Sequence, residues 1–155
     1  MLTKVNSRNL RAADGEFVIV ASKYNARYVD AMVHSATATL KAAKAKQVRV
    51  VRVPGAYEVP IVAARLARTK QPLAIICLGV IFRGQTTHAA HIGDAVSRAF
   101  MEIQLEYEVP VIHEVLLLEN EAQAKVRCLG RDHNRGTEAA QTALAMANVM
   151  AGLLK

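Results

Sequence analysis

Leu73–His91, LAIICLGVIFRGQTTHAAH, is an apolar, β-branched run that meets Gly79, passes through Arg83-Gly84-Gln85-Thr86-Thr87 and enters a long helical pattern at His88. A buried strand that stops at a Gly/Thr-rich turn, with a helix beginning beyond it, gathers free backbone N–H groups and the positive end of a helix dipole at one spot. That spot is sized for a phosphate. His88 stands on the first turn of the helix, so one short segment offers an anion cradle and an imidazole able to move protons near neutral pH.

Working outward, the runs Phe17–Ala21, Val48–Val53, Leu73–Leu78 and Val109–Leu118 are short, rich in Val, Ile and Leu, and not strictly alternating. Strands buried on both faces read this way. Helical patterns fall between and after them at Asn25–Lys44, Ala56–Thr69, His88–Glu108, Asn120–Arg127 and Asn134–Leu154. The alternation predicts an α/β three-layer sandwich around a four-stranded parallel sheet with right-handed crossovers. Ligands of such sheets bind at the carboxyl ends of the strands. There the sequence places Ser22-Lys23-Tyr24-Asn25, Pro54-Gly55-Ala56-Tyr57-Glu58 and the Gly79–His88 turn, and a cationic loop, Cys128–Gly136, precedes the last helix.

At 155 residues and 52% hydrophobic, the chain suits a single domain, 1–155, with residues 1–15 as a loosely patterned arm. No apolar run approaches a bilayer span and the polar start does not read as a signal peptide, so a cytoplasmic protein is expected. The two cysteines have neither metal-site spacing nor the density of a disulfide scaffold, so both are expected as free thiols with no metal site. The net charge of +7 is spread along the chain, aromatics are 5% and Trp is absent. A protein that handles anionic small molecules explains that balance as well as a nucleic-acid-binding module, which would rest on charge alone.

Tyr24-Asn25, Val53-Pro54-Gly55-Ala56-Tyr57-Glu58-Val59-Pro60, Gly79-Val80-Ile81-Phe82-Arg83-Gly84 with Thr86-Thr87-His88, and Asn134-Arg135-Gly136 with Met146-Ala147-Asn148 fall in one register. In that order they resemble the lumazine synthase family over nearly all the chain after the arm. The resemblance implies a flavodoxin-like fold and a transferase of riboflavin biosynthesis. Its reaction condenses 5-amino-6-(D-ribitylamino)uracil with 3,4-dihydroxy-2-butanone 4-phosphate, giving 6,7-dimethyl-8-ribityllumazine, phosphate and water. It implies small-molecule substrates, no cofactor or metal, no nucleic acid or membrane partner, and a homo-oligomer. In the family, pentamers carry active sites between neighbours, and many members assemble into sixty-subunit icosahedral shells. The short Gly130–Gly136 turn permits a shell, although Asp132 and His133 stand where smaller residues are usual.

By the same resemblance Tyr24 stacks on the pyrimidine, Glu58 holds ribityl hydroxyls, and backbone groups at Ala56, Tyr57, Val80, Ile81 and Phe82 read the pyrimidine edges. His88 assists the proton transfers; Gln85, Thr86, Thr87 and Arg127 bind phosphate; His113 and Arg135 complete the substrate site. Each has a plainer reading. Tyr24 could cap the sheet edge, Glu58 could answer the helix dipole, His88 could be a capping histidine and Arg127 a cation near a helix C-terminus. Asn25 reads as the N-cap of the first helix. Several positions depart from the family pattern: Arg135 replaces the usual Lys, His113 an aromatic, Leu117-Leu118 a Thr pair, Ala89-Ala90-His91 bulkier aromatic and acidic residues, and Ala95 a Glu. Those departures motivate a second reading, a flavin- or lumazine-binding shell protein with little turnover.

Overall fold

The computed structural model describes residues 10–153. Four strands, β1 (Glu16–Ser22), β2 (Gln47–Val53), β3 (Ala74–Phe82) and β4 (Val111–Leu118), form a single parallel sheet in the order β2-β1-β3-β4. Parallel neighbours require crossovers. These are supplied by the helices α1 (Ala26–Ala42), α2 (Val59–Lys70) and α3 (His88–Tyr107), while α4 (Glu121–Ala124) and α5 (Arg135–Leu153) follow β4. The result is the α/β three-layer, flavodoxin-like arrangement.

Period-two geometry divides the core in β1: Phe17, Ile19 and Ala21 face α1 and α5, whereas Val18 and Val20 face α2 and α3. All five are fully buried. In β3, Ala74, Ile76, Leu78 and Val80 join the first layer, and Ile75 and Cys77 the second. Each such large side chain contributes about 1.5–3 kcal/mol on leaving water. β1 from Phe17 to Ala21, and β3 along its length, are therefore apolar.

The outer strands differ from the expectation of burial on both faces. β2 lies at the sheet edge with Gln47, Arg49 and Val50 exposed, and Arg49 pairs with Glu16 at 2.7 Å. β3 runs four residues further than the apolar run suggests, because β4 continues to pair with it up to Phe82↔Leu118. Gly79 is thus an interior strand residue, and the turn begins at Arg83.

Helix starts also depart from the sequence reading. Ala56–Glu58 is a 3-10 turn, and α2 begins only at Val59, with Pro60 in its first turn where a missing N–H costs nothing. Asn25 makes no side-chain cap. It adopts the left-handed conformation (φ 59°), which Asn tolerates, and its Nδ2 donates to the Val80 carbonyl at 2.8 Å. The segment read as a helix from Asn120 to Arg127 is a single α turn followed by a π turn, Lys125–Leu129.

Residues 1–9 of the expected arm lie outside the described residues. Its remainder packs on the α1/α5 layer through Leu10 and Ala12, and the Ala12 N–H donates to Ala43 O at 2.8 Å. Cys77 and Cys128 are buried free thiols. Burial raises the pKa of both, to about 11 at Cys128, so both stay protonated. Among the described residues no helix is long and apolar enough to cross a membrane.

Candidate active site

The carboxyl ends of β1, β2 and β3 and the first turns of α3 surround a cavity of 720 Å³. Tyr24, Ala56, Tyr57, Glu58, Val80, Ile81, Phe82 and His88 all line it. So do Asn25, Gly55, His91, Ile92 and Ala95, none of which the sequence reading placed in the substrate site. The last three had a legible signal: with His88 they recur at the spacing of one helical stripe.

Gly55 sets how closely this wall packs. A Cβ there would come within 2.9 Å of the Tyr24 ring and 3.0 Å of Glu58 Oε2. Its absence lets the ring and the carboxylate close on the same backbone. Glu58 Oε2 accepts the Gly55 N–H at 3.0 Å, so the carboxylate both caps its own turn and faces the cavity. The Tyr24 ring remains 67% exposed, open to a flat partner. Apolar walls from Val80, Ile81, Phe82 and Ile92, with a few polar groups converging on them, suit a small organic ligand.

Gln85, Thr86 and Thr87 are exposed in the turn that leads into His88 and do not line the cavity itself. The His88 N–H has only a long contact, 3.4 Å, to Thr86 Oγ1, and regular helical bonding begins with His91 N–H to Thr87 O at 3.1 Å. The first-turn N–H groups are thus available to an anion, as expected of this segment. Arg83 anchors the turn: its N–H donates to Leu118 O at 2.8 Å, and its guanidinium pairs with Glu119 at 3.0 Å.

The remaining candidates do not reach this cavity in the same chain. His113, on the edge strand β4, packs edge-on against Phe100 at 5.0 Å. Its Nδ1 accepts the Val115 N–H at 3.2 Å, which leaves Nε2 as the N–H that donates to Ser97 Oγ at 2.7 Å. With the acceptor nitrogen so occupied, and the pKa lowered by burial, His113 is held neutral and is no base for Ser97. Arg127 lies half-buried in the π turn, its guanidinium 3.4 Å from Gln123 O. Arg135 opens α5 and pairs with Glu138 at 3.2 Å. Between these elements Asn134 is buried: its amide donates to Cys128 O at 2.7 Å and accepts from the N–H groups of Gly136 at 2.9 Å and Thr137 at 3.3 Å.

Glu114, which sequence reasoning did not single out, belongs to this second group. Burial raises its pKa to about 7, with Glu138 raising it further and Arg135 opposing. Protonation is therefore favoured in the folded chain: stability present below the ordinary value of 4.5 is lost as pH rises through about 7. Glu114→Gln should match the wild type near pH 4.5 and exceed its stability at pH 8, as read by thermal unfolding at both values. Equal stability at pH 8 would mean that Arg135 fully compensates the carboxylate.

The sequence model of the 6,7-dimethyl-8-ribityllumazine synthase family matches residues 14–151. The chain belongs to that family. It is 43% identical over 144 residues to the 6,7-dimethyl-8-ribityllumazine synthase of Xylella fastidiosa (strain 9a5c), an alignment covering 92% of this chain and 94% of the relative. The synthase of the same name from Xanthomonas campestris pv. campestris (strain B100) is 41% identical with the same coverage. That of Stenotrophomonas maltophilia (strain R551-3) is 40% identical over 136 residues, 86% of this chain and 88% of the relative. In this lumazine synthase family member, the cavity carries the residues Tyr24, Glu58 and His88 singled out from the sequence.

Proposed function

We propose that this chain catalyses the condensation of 5-amino-6-(D-ribitylamino)uracil with 3,4-dihydroxy-2-butanone 4-phosphate to 6,7-dimethyl-8-ribityllumazine. The observation that carries the reading is the convergence of Tyr24, Glu58 and His88 on one cavity beside the turn that leads into α3, in a chain of this family. Tyr24 stacks on the pyrimidine, Glu58 meets the ribityl hydroxyls, and backbone groups at Ala56, Tyr57, Val80, Ile81 and Phe82 take the ring edges. The phosphate sits on the turn Gln85-Thr86-Thr87 at the start of α3. His88, one residue on, is placed to move protons as the amine and ketone combine. Holding two reactive small molecules together supplies much of the rate.

His113, Arg127 and Arg135, which stand away from their own chain's cavity, serve the cavity of a neighbouring copy. A ring of heterologous contacts repeats such a shared site at every interface. Exposed apolar side chains on outer helix faces, Ile61, Met101 and Leu105 among them, support association. We take the ring to be a pentamer, and the short Gly130–Gly136 turn to allow pentamers to dock into a sixty-subunit shell.

The test is a purified chain mixed with both substrates and followed for lumazine and phosphate release. Binding without turnover would favour the binding-protein reading instead. Light scattering and negative-stain microscopy separate hollow particles from free pentamers, and an active monomer would overturn the shared site.

Arg127→Ala should raise the KM for the butanone phosphate about tenfold or more, since a lost charge-assisted hydrogen bond is worth ~1.5–3 kcal/mol. The KM for the pyrimidine should hardly move, and neither should stability, because the guanidinium makes only a 3.4 Å contact within its own chain. Steady-state kinetics with each substrate varied in turn checks this; an unchanged KM places the phosphate elsewhere.

A further inference from the structure

His91 lines the cavity one helical turn beyond His88 and has no task in the function proposed above. Residues at i and i+3 on a helix stand about 5–6 Å apart at Cβ, so one small bound molecule spans both. The His91 backbone is fixed by its bond to Thr87 O. Neither imidazole side chain has a hydrogen-bond partner among the described residues. The other titratable side chains on the cavity are Tyr24, Tyr57 and Glu58, and Glu58 is already engaged by the Gly55 N–H. Two imidazoles of this chain thus face one cavity with both ring nitrogens free, whereas His113, which a neighbouring copy would bring, has its ring nitrogens engaged by the Val115 N–H and Ser97 Oγ.

We propose that His91 is a second proton-transfer residue of this site, working with His88 on the bound pyrimidine; the inference rests on the function proposed above. The chemistry asks for such a pair. When the amine has added to the ketone, the carbinolamine must lose water. Its C–O bond breaks with the electron pair leaving on oxygen, an imidazolium proton turns that oxygen into water, and the nitrogen lone pair forms the C=N bond. A neutral imidazole then takes the proton left on nitrogen. The donor ends neutral and the acceptor ends cationic, so two imidazoles supply both partners within one step, and the total number of protons is unchanged.

The test uses His91→Gln, which keeps a polar side chain but cannot alternate between neutral and cationic forms. The side chain is exposed in the chain, so folding should be unaltered, and light scattering of the variant checks that assembly is retained. We expect kcat to fall roughly 10²-fold, the low end for a positioned acid or base, with both KM values near wild type. In the wild type, the pyrimidine substrate alone should protect His91 from carbethoxylation by diethylpyrocarbonate, read by peptide mass spectrometry. An unchanged kcat, or a raised KM with kcat intact, overturns the proton-transfer role. A lower kcat without protection of His91 also overturns it, because a merely structural effect then suffices. If the variant does not fold, protection in the wild type decides. If the wild-type chain makes no lumazine, the proposed function fails by itself; protection of His91 then still supports its contact with the pyrimidine, and its absence overturns that contact.

Discussion

Gly136→Ala should leave a chain markedly less stable than the wild type. The first turn of α5 lies directly on the backbone of α1, and a Cβ at Gly136 would overlap the Met32 carbonyl oxygen while standing 2.7 Å from both the carbonyl carbon and Cα of Met32. Overpacking usually costs ~1–3 kcal/mol because side chains can shift rotamer. Here the obstruction is main chain on both sides. Relief requires the two helices to separate, and with them the buried Ala139, Ala140 and Ala143 from the α1 face. We expect a loss of at least about 3 kcal/mol against a typical total of ~5–15. At ~2–4 °C per kcal/mol for a chain of this size, the midpoint should fall by roughly 10 °C. Thermal denaturation of the soluble variant measures it, and a midpoint within a degree or two of wild type would show that α5 does not sit on α1 this closely.

His88→Ala should lower kcat by roughly 10²-fold while the KM values change little, since a proton-transfer group acts in the transition state and adds little to ground-state binding. The side chain is exposed at the first residue of α3, so folding should survive its removal. Activity should not vanish: the cavity still holds the reactants together, which is a large part of the acceleration. Single-turnover and steady-state kinetics separate the two contributions. An unaltered kcat removes His88 from the chemistry, whereas complete inactivity with binding intact would make the imidazole dominant over proximity.

The central layers were legible because β1 and β3 carry an uninterrupted apolar signal that burial on both faces demands. β2 misleads for the opposite reason. Its Val-rich pattern has strand propensity wherever it lies, and only the pairing order puts it at the edge with Arg49 and Gln47 in water. Asn25 shows how one residue type serves two local solutions: a side chain suited to an N-cap is equally suited to a left-handed turn, and the long-range Val80 carbonyl decides between them. Tyr24, Glu58 and His88 were readable through family resemblance, because motifs at three strand ends are gathered by the sheet alone. Glu114 and Ser97 were not. Their partners come from elements distant in sequence, and no local pattern announces a carboxyl that burial will keep protonated or a hydroxyl that will receive a histidine N–H.

The buried amide of Asn134 has a thermodynamic consequence. It clasps Cys128, one residue after Arg127, and simultaneously fixes the first turn of α5, where Arg135 begins. The two guanidinium-bearing segments are therefore set in mutual position by the fold itself. If Arg127 meets a phosphate as proposed, the anion loses its own freedom of motion but orders little of the protein, so most of the charge-assisted attraction is retained as affinity and little is dissipated in stiffening a loop.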